Sequence, residues 1–109
     1  MAETRLERIA DGHYRLEGAL TFATVSALLE SDTDLFENPD DVELDLSGVD
    51  RGDSAGLALL VNWTRTARER NKPFKLVGMP DQLTAMAQVS GLMDVLPISG
   101  FSPPTSGEI

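Results

Sequence analysis

The stretch Val42–Glu43–Leu44–Asp45–Leu46 alternates apolar and charged residues. Successive strand side chains point to opposite faces, so Val42, Leu44 and Leu46 share one face and the two carboxylates the other. Helical spacing follows from Ser54 to Arg70. A further strand reads at Phe74–Lys75–Leu76–Val77 and a further helix at Pro80 to Ser90. Strands alternating with helices predict parallel pairing. Parallel strands covered on both faces are almost continuously apolar. Glu43, Asp45 and Lys75 break that pattern. The expectation is an α/β fold with helices mainly on one face of the sheet and the other face partly wet.

The chain before Val42 predicts an antiparallel start, so the sheet is mixed. His13–Tyr14–Arg15–Leu16–Glu17 alternates as a half-buried strand, and Arg5–Ile9 pairs with it across the turn signal Asp11–Gly12. Phe22, Val25, Leu28, Leu29 and Phe36 mark a helix over 22–36 whose spacing fades after Glu30, and Asn38–Pro39–Asp40 marks a turn. Asn71–Lys72–Pro73 ends the long helix. Pro80 suits the first position of the next helix and Gly91 its C-terminal cap. Val95 to Ile98 reads as a last short strand. Residues 1–98 therefore form one domain. Residues 99–109, SGFSPPTSGEI, read as a flexible Ser/Gly/Pro-rich tail.

Charge and composition exclude several function classes. The 109 residues carry a formal net charge of −9. Phosphates of nucleic acid and anionic lipid headgroups would both be repelled, and a basic protein partner is favoured. There is no cysteine, which removes disulfides and thiolate metal sites. No metal or cofactor is expected. MAETRLERIADG does not read as a secretory signal. No apolar window is long enough to span a membrane; a cytosolic home is compatible with this composition, and a membrane system would be served from the side.

Gly52–Asp53–Ser54–Ala55–Gly56 fits the G-x-S-x-G pattern of serine hydrolases. No histidine follows Ser54, and the single histidine, His13, falls on an alternating strand. The partners of a triad are missing, so no enzyme activity is expected. No P-loop is present. Asp45, Asp50 and Asp53 lack the acidic pair after the first strand that a phospho-acceptor pocket needs, and read as solvated loop carboxylates. Met79, Met86 and Met93 read as core or element-end residues. Locally, Asp53 or Ser54 can cap the helix by accepting from its first free N–H groups.

Capping does not explain the next turns. On a wheel of about 100° per residue, Leu57, Leu60, Val61, Thr64 and Ala67 gather as the core face. Ala55, Ala58, Leu59, Asn62 and Thr66 fall opposite, with Trp63 at the boundary beside Leu59. That face is small and uncharged until Arg65. Small residues permit close approach by another surface, and Leu59 and Trp63 would anchor it. Asp53, Ser54, Ala55, Ala58, Leu59, Asn62 and Trp63 are thus the candidate partner-binding residues.

The segment VELDLSGVDRGDSAGLALLVNW, 42–63, resembles the STAS domain signature: an apolar strand ending in D-L-S, a short loop, then D-[ST]-x-G-L opening a helix. Asp45, Leu46, Ser47, Val49, Asp53, Ser54, Gly56 and Leu57 match. The likeness extends over about residues 5–98, with motif and element order in agreement. It implies an anti-sigma factor antagonist-like fold and a protein-interaction module in which Ser54 lies at the partner interface. In anti-sigma factor antagonists the equivalent residue is phosphorylated by a partner kinase. In MlaB-like subunits of Mla-type phospholipid ABC transporters, the same surface docks on the cytoplasmic ATPase. Ala55 stands where antagonists carry a second Ser or Thr. Gly56–Leu57–Ala58–Leu59–Leu60 and the ending Gly91–Leu92–Met93–Asp94–Val95–Leu96–Pro97 look like the transporter subunit. The resemblance therefore implies a regulatory subunit, held beside the inner membrane by its ATPase, in a system maintaining outer-membrane lipid asymmetry. The alternative it leaves is an antagonist switched by phosphorylation of Ser54, with a serine-kinase anti-sigma factor as partner. Gly52 stands where the family has a bulky apolar residue, which predicts a looser loop before Ser54.

Overall fold

The two residues Asp11–Gly12 reverse the chain between β1 (Arg5–Ala10) and β2 (His13–Leu20), which pair antiparallel as the alternation predicts. The computed structural model describes residues 4–31 and 40–98. The remaining elements are α1 (Phe22–Ser31), β3 (Val42–Gly52), α2 (Ser54–Glu69), β4 (Phe74–Val77) and α3 (Asp81–Val89). The sheet order is β1-β2-β3-β4. β2–β3 and β3–β4 are parallel, so the sheet is mixed. Phe36 and the segment from Ser99 fall outside the described residues.

The helices share one face. α2 packs over β2 and β3, flanked by α1 over β1 and β2 and by α3 over β3. Beneath them lie Leu16, Leu20, Leu44, Leu46 and Leu76 of the strands, with Leu60 and Trp63 from α2 and Leu83 from α3, all essentially fully buried. The opposite face is charged. Register aligns Glu7, Arg15 and Asp45 in one cross-strand row and His13, Glu43 and Lys75 in another. Arg15 Nε lies 3.5 Å from Asp45 Oδ2, His13 Nδ1 lies 3.5 Å from Glu43 Oε2, and Arg5 pairs with Glu17 at 3.4 Å. Opposite charges on neighbouring strands contribute modestly to pairing, and a solvated charged face needs no covering layer.

β3 departs from its expected bounds. The strand signal ends at Leu46, yet the strand runs on to Gly52 beside β2. Two extra residues are accommodated on the β3 side, where Asp45 to Gly48 opposes Arg15 to Glu17 and Val49 to Arg51 opposes Gly18 to Ala19. Each bulge inserts a residue and shifts the period, so burial recurs at Leu46, Val49 and Gly52, every third residue. A search for alternation reads such a strand as loop. Asp45 steadies the first bulge: its Oδ1 accepts from the Ser47 N–H at 2.9 Å.

Smaller differences have similar local causes. Pro80 is the N-cap of α3, in extended backbone, and the helix begins at Asp81. The strand expected over Val95–Ile98 reduces to a single bridge between Ile98 and Leu76, because the chain turns at Leu92–Leu96 before reaching the sheet edge. The helix ends behave as read. After α2, the N–H of Asn71 donates to Arg68 and that of Lys72 to Ala67. After α3, the N–H of Gly91 donates to Gln88 and that of Leu92 to Ala87. Both are Schellman caps, with Asn71 and Gly91 in the left-handed region.

Gly56 fixes how closely α2 meets the sheet. A Cβ there would collide with the carbonyl oxygen of Leu20, which is backbone and cannot swing aside. Gly56→Ala is therefore expected to lower unfolding free energy by about 2 kcal/mol or more, measured by urea titration. Wild-type stability in this variant would show that the two elements separate freely.

Candidate functional site

Three helix starts converge where β2 and β3 end. β2 ends at Leu20 and leads through Thr21 into α1, and β3 ends at Gly52 and leads through Asp53 into α2. The carboxylate of Asp53 joins both. Its Oδ1 accepts from the N–H of Ala55 at 3.0 Å and of Gly56 at 3.2 Å, and its Oδ2 accepts from the N–H of Phe22 at 3.1 Å. The Asp53 N–H donates to the Leu20 carbonyl at 3.2 Å. α3 reaches the same place, where Gln82 Oε1 accepts from the Gly52 N–H at 3.2 Å.

Asp53, rather than Ser54, is therefore the cap. The donors on its carboxylate, the Phe22 N–H foremost and then those of Gly56 and Ala55, hold its pKa below the ordinary aspartate value. Asp45 is shifted the same way, first by the Ser47 N–H and hydroxyl and then by Arg15. Asp45 and Asp53 are thus each committed to backbone and do not form a shared pocket. With capping done by its neighbour, Ser54 stands exposed at the first position of α2. His13 sits at the far end of β2, roughly 23 Å from Leu20 by strand rise, so no imidazole reaches Ser54.

Gly52 corrects an expectation. The backbone before Ser54 is not loose: Gly52 is buried as the last residue of β3, and a Cβ there would meet Leu83 Cδ2 at 2.6 Å. Leu83 of α3 fills the space that a larger side chain at 52 would take.

The candidate surface on α2 also differs from its expected position. Leu59 is 2% exposed and Trp63 1%, and both belong to the core. The buried arc of α2 comprises Gly56, Leu57, Leu59, Leu60, Trp63, Thr64 and Ala67. It is rotated by roughly 60° from the wheel estimate at about 100° per residue. The reason is tertiary: α1 packs against α2 on the flank that carries Leu59, and a wheel drawn for one buried side has no term for a neighbouring helix. Ser54, Ala58, Asn62 and Arg65 form the outward strip, with Ala55 half-buried at its edge. Beside this strip runs a shallow groove, bordered by Ala58, Val61 and Asn62 on α2 and by Ser90 and Leu92 after α3.

Two residues on the apolar spacing of α1, Phe22 and Leu29, are exposed. Phe22 matches a core position of α1, yet it is 80% exposed. It is the first residue of α1, and its N–H is held by Asp53, so its backbone lies beside the start of α2. The available signal was the run Phe22–Leu29, which contains no charge to mark a solvent face.

The geometry is that of a module presenting a helix start and an exposed serine on a rigid α/β frame. The profile described as Mlab, STAS domain, matches residues 7–97, and the chain belongs to the STAS domain family. Solved structures share the architecture. An anti-sigma factor antagonist from Mycobacterium paratuberculosis matches with a TM-score of 0.68 at 21% identity, over 93% of this chain and 87% of that one. A sulfate transporter family protein from Wolinella succinogenes matches at 0.66 and 20% identity, over 86% and 80%. The Bacillus cell fate determinant SpoIIAA in its phosphorylated form matches at 0.63 and 17% identity, over 96% and 94%. At these identities the likeness is one of fold, the anti-sigma factor antagonist fold. No curated protein matches the sequence. Among the described residues, no helix is long and apolar enough to cross a membrane, and no group of three or more His, Cys, Asp or Glu side chains is placed to hold a metal ion.

Substitutions at this junction are expected to separate. Ser54→Ala should change stability by less than about 0.5 kcal/mol, because the cap is next door. Leu59→Arg should cost about 3 kcal/mol or more, from burial of an unpaired charge. Asp53 also sets a pH dependence. Its folded pKa is depressed, so its contribution is complete above the unfolded value near about 4 and is lost as pH falls through the folded value. The denaturation midpoint of Asp53→Asn should therefore fall less steeply than that of wild type on acidification below about pH 4. Equal slopes would assign the acid limb to other carboxylates.

Proposed function

We propose that this chain is a non-enzymatic STAS subunit that binds and regulates the ATPase of an Mla-type phospholipid ABC transporter, on the cytoplasmic side of the inner membrane, in a system maintaining outer-membrane lipid asymmetry. The observation that carries the reading is the match of residues 7–97 to the profile described as Mlab, STAS domain. The transporter-like run Gly56–Leu57–Ala58–Leu59–Leu60 supports it. Within this proposal the partner contacts come from Asp53, Ser54, Ala55, Ala58 and Asn62. Leu59 and Trp63 act from inside, by fixing how α2 sits. From Ser54 to Asn62 the exposed strip is small and uncharged, so a partner packs closely there with charge confined to its ends at Asp53 and Arg65.

A second reading is an anti-sigma factor antagonist whose Ser54 is phosphorylated by a serine-kinase partner. Solved relatives described as antagonists and the exposed, uncommitted position of Ser54 favour it. Ala55, in place of a second hydroxyl residue, favours the first.

The two readings separate in a binding experiment with purified proteins. The chain is expected to form a complex with the host's Mla-type ATPase. Ala58→Arg should remain folded, because Ala58 is exposed, and should weaken that complex at least about tenfold, about 1.4 kcal/mol. Absence of the complex, with phosphate transfer to Ser54 by an anti-sigma serine kinase, would overturn the transporter reading in favour of the antagonist.

A further inference from the structure

From Phe22 to Leu29, the exposed residues of α1 carry no charge. Phe22, Ala23, Ser26, Ala27 and Leu29 are its exposed residues up to Leu29. Phe22 is 80% exposed and Leu29 44%, and they lie seven residues apart on one stripe. A quarter of the whole chain is charged, so an uncharged helix face bearing an exposed aromatic is unlike the rest of its surface. α1 packs directly against α2, and Asp53 ties the Phe22 backbone to the start of α2. The patch on α1 and the strip from Ser54 to Asn62 therefore belong to one rigid surface.

Around that surface the charge is mainly acidic. Among the described residues, Asp50, Asp53 and Asp81 stand at the strand ends and helix starts, against Arg51 there and Arg65 further along α2. The chain as a whole carries −9. A second copy docking symmetrically would bring like charges together, and an anionic membrane would be repelled. A protein with an apolar pocket and a basic rim is complementary on both counts.

We infer that α1 forms the second half of the docking surface, with Phe22 as the aromatic anchor that enters an apolar, basic-rimmed pocket of the partner. The inference rests on the proposed transporter ATPase as that partner. The Phe22 backbone is already held at a capped helix start, so inserting its side chain requires ordering the ring but not the chain that carries it.

The test is titration of the purified host ATPase with wild type, Phe22→Ala and Val89→Ala. Val89 is the control: it is 89% exposed but lies on α3, on the other flank of α2. Circular dichroism should show all three folded. Phe22→Ala is expected to weaken binding at least about tenfold, Val89→Ala to leave it unchanged, and wild-type affinity to fall with added salt. Equal affinities for Phe22→Ala and wild type would overturn the anchor while leaving the transporter reading intact. No binding by wild type would overturn that reading and the anchor with it. Concentration-dependent self-association of wild type, abolished by Phe22→Ala, or binding of wild type to phosphatidylglycerol vesicles through Phe22, would assign the patch to a second copy or to lipid and overturn the inference.

Discussion

One carboxylate organises the end of the sheet where the helices start. Asp53 accepts from the first N–H of α1 and from two N–H groups of α2, while its own N–H holds the Leu20 carbonyl. Helix starts carry unsatisfied donors and a partial positive charge, so an anion placed between two of them is favoured by both. The same bonds lower its pKa, which keeps it ionised and acting as a cap. Two helices that are separated in sequence thereby share one anchor point. Ser54 is exposed because Asp53 does the capping, and Phe22 stands beside it because Asp53 holds its backbone.

Close approach completes the arrangement. α2 can lie against the end of β2 only with a glycine at 56. Gly52 and Leu83 interlock at the end of β3, and Gln82 closes the remaining Gly52 N–H. All three helices are therefore registered to the strand ends from which the candidate surface projects. Within the proposed function, such a frame fixes the backbone of the proposed contact residues before binding. The charged back of the sheet, with its Arg15–Asp45 and His13–Glu43 pairs, leaves the helical side as the face with exposed apolar residues such as Phe22 and Leu29.

The amino-acid sequence by itself determined the element order, the hairpin at Asp11–Gly12, the parallel pairs and the one-sided covering of the sheet, because each is written in short-range periodicity and turn chemistry. A helix start at Asp53–Ser54, capped by one of the two, was legible for the same reason, as were the ends of α2 and α3; that Asp53 is the cap was decided by the structure. The bulged half of β3 was not, since each bulge breaks the alternation on which strand recognition depends. Only the tertiary structure decided which side of α2 faces outward and which aromatic is exposed. Leu59 and Trp63 are buried because α2 is enclosed by the sheet and its flanking helices, while Phe22 is exposed at the start of α1. Burial of a helix face depends on every neighbour that packs against it, and a single helix's periodicity carries no record of neighbours brought together from distant parts of the chain.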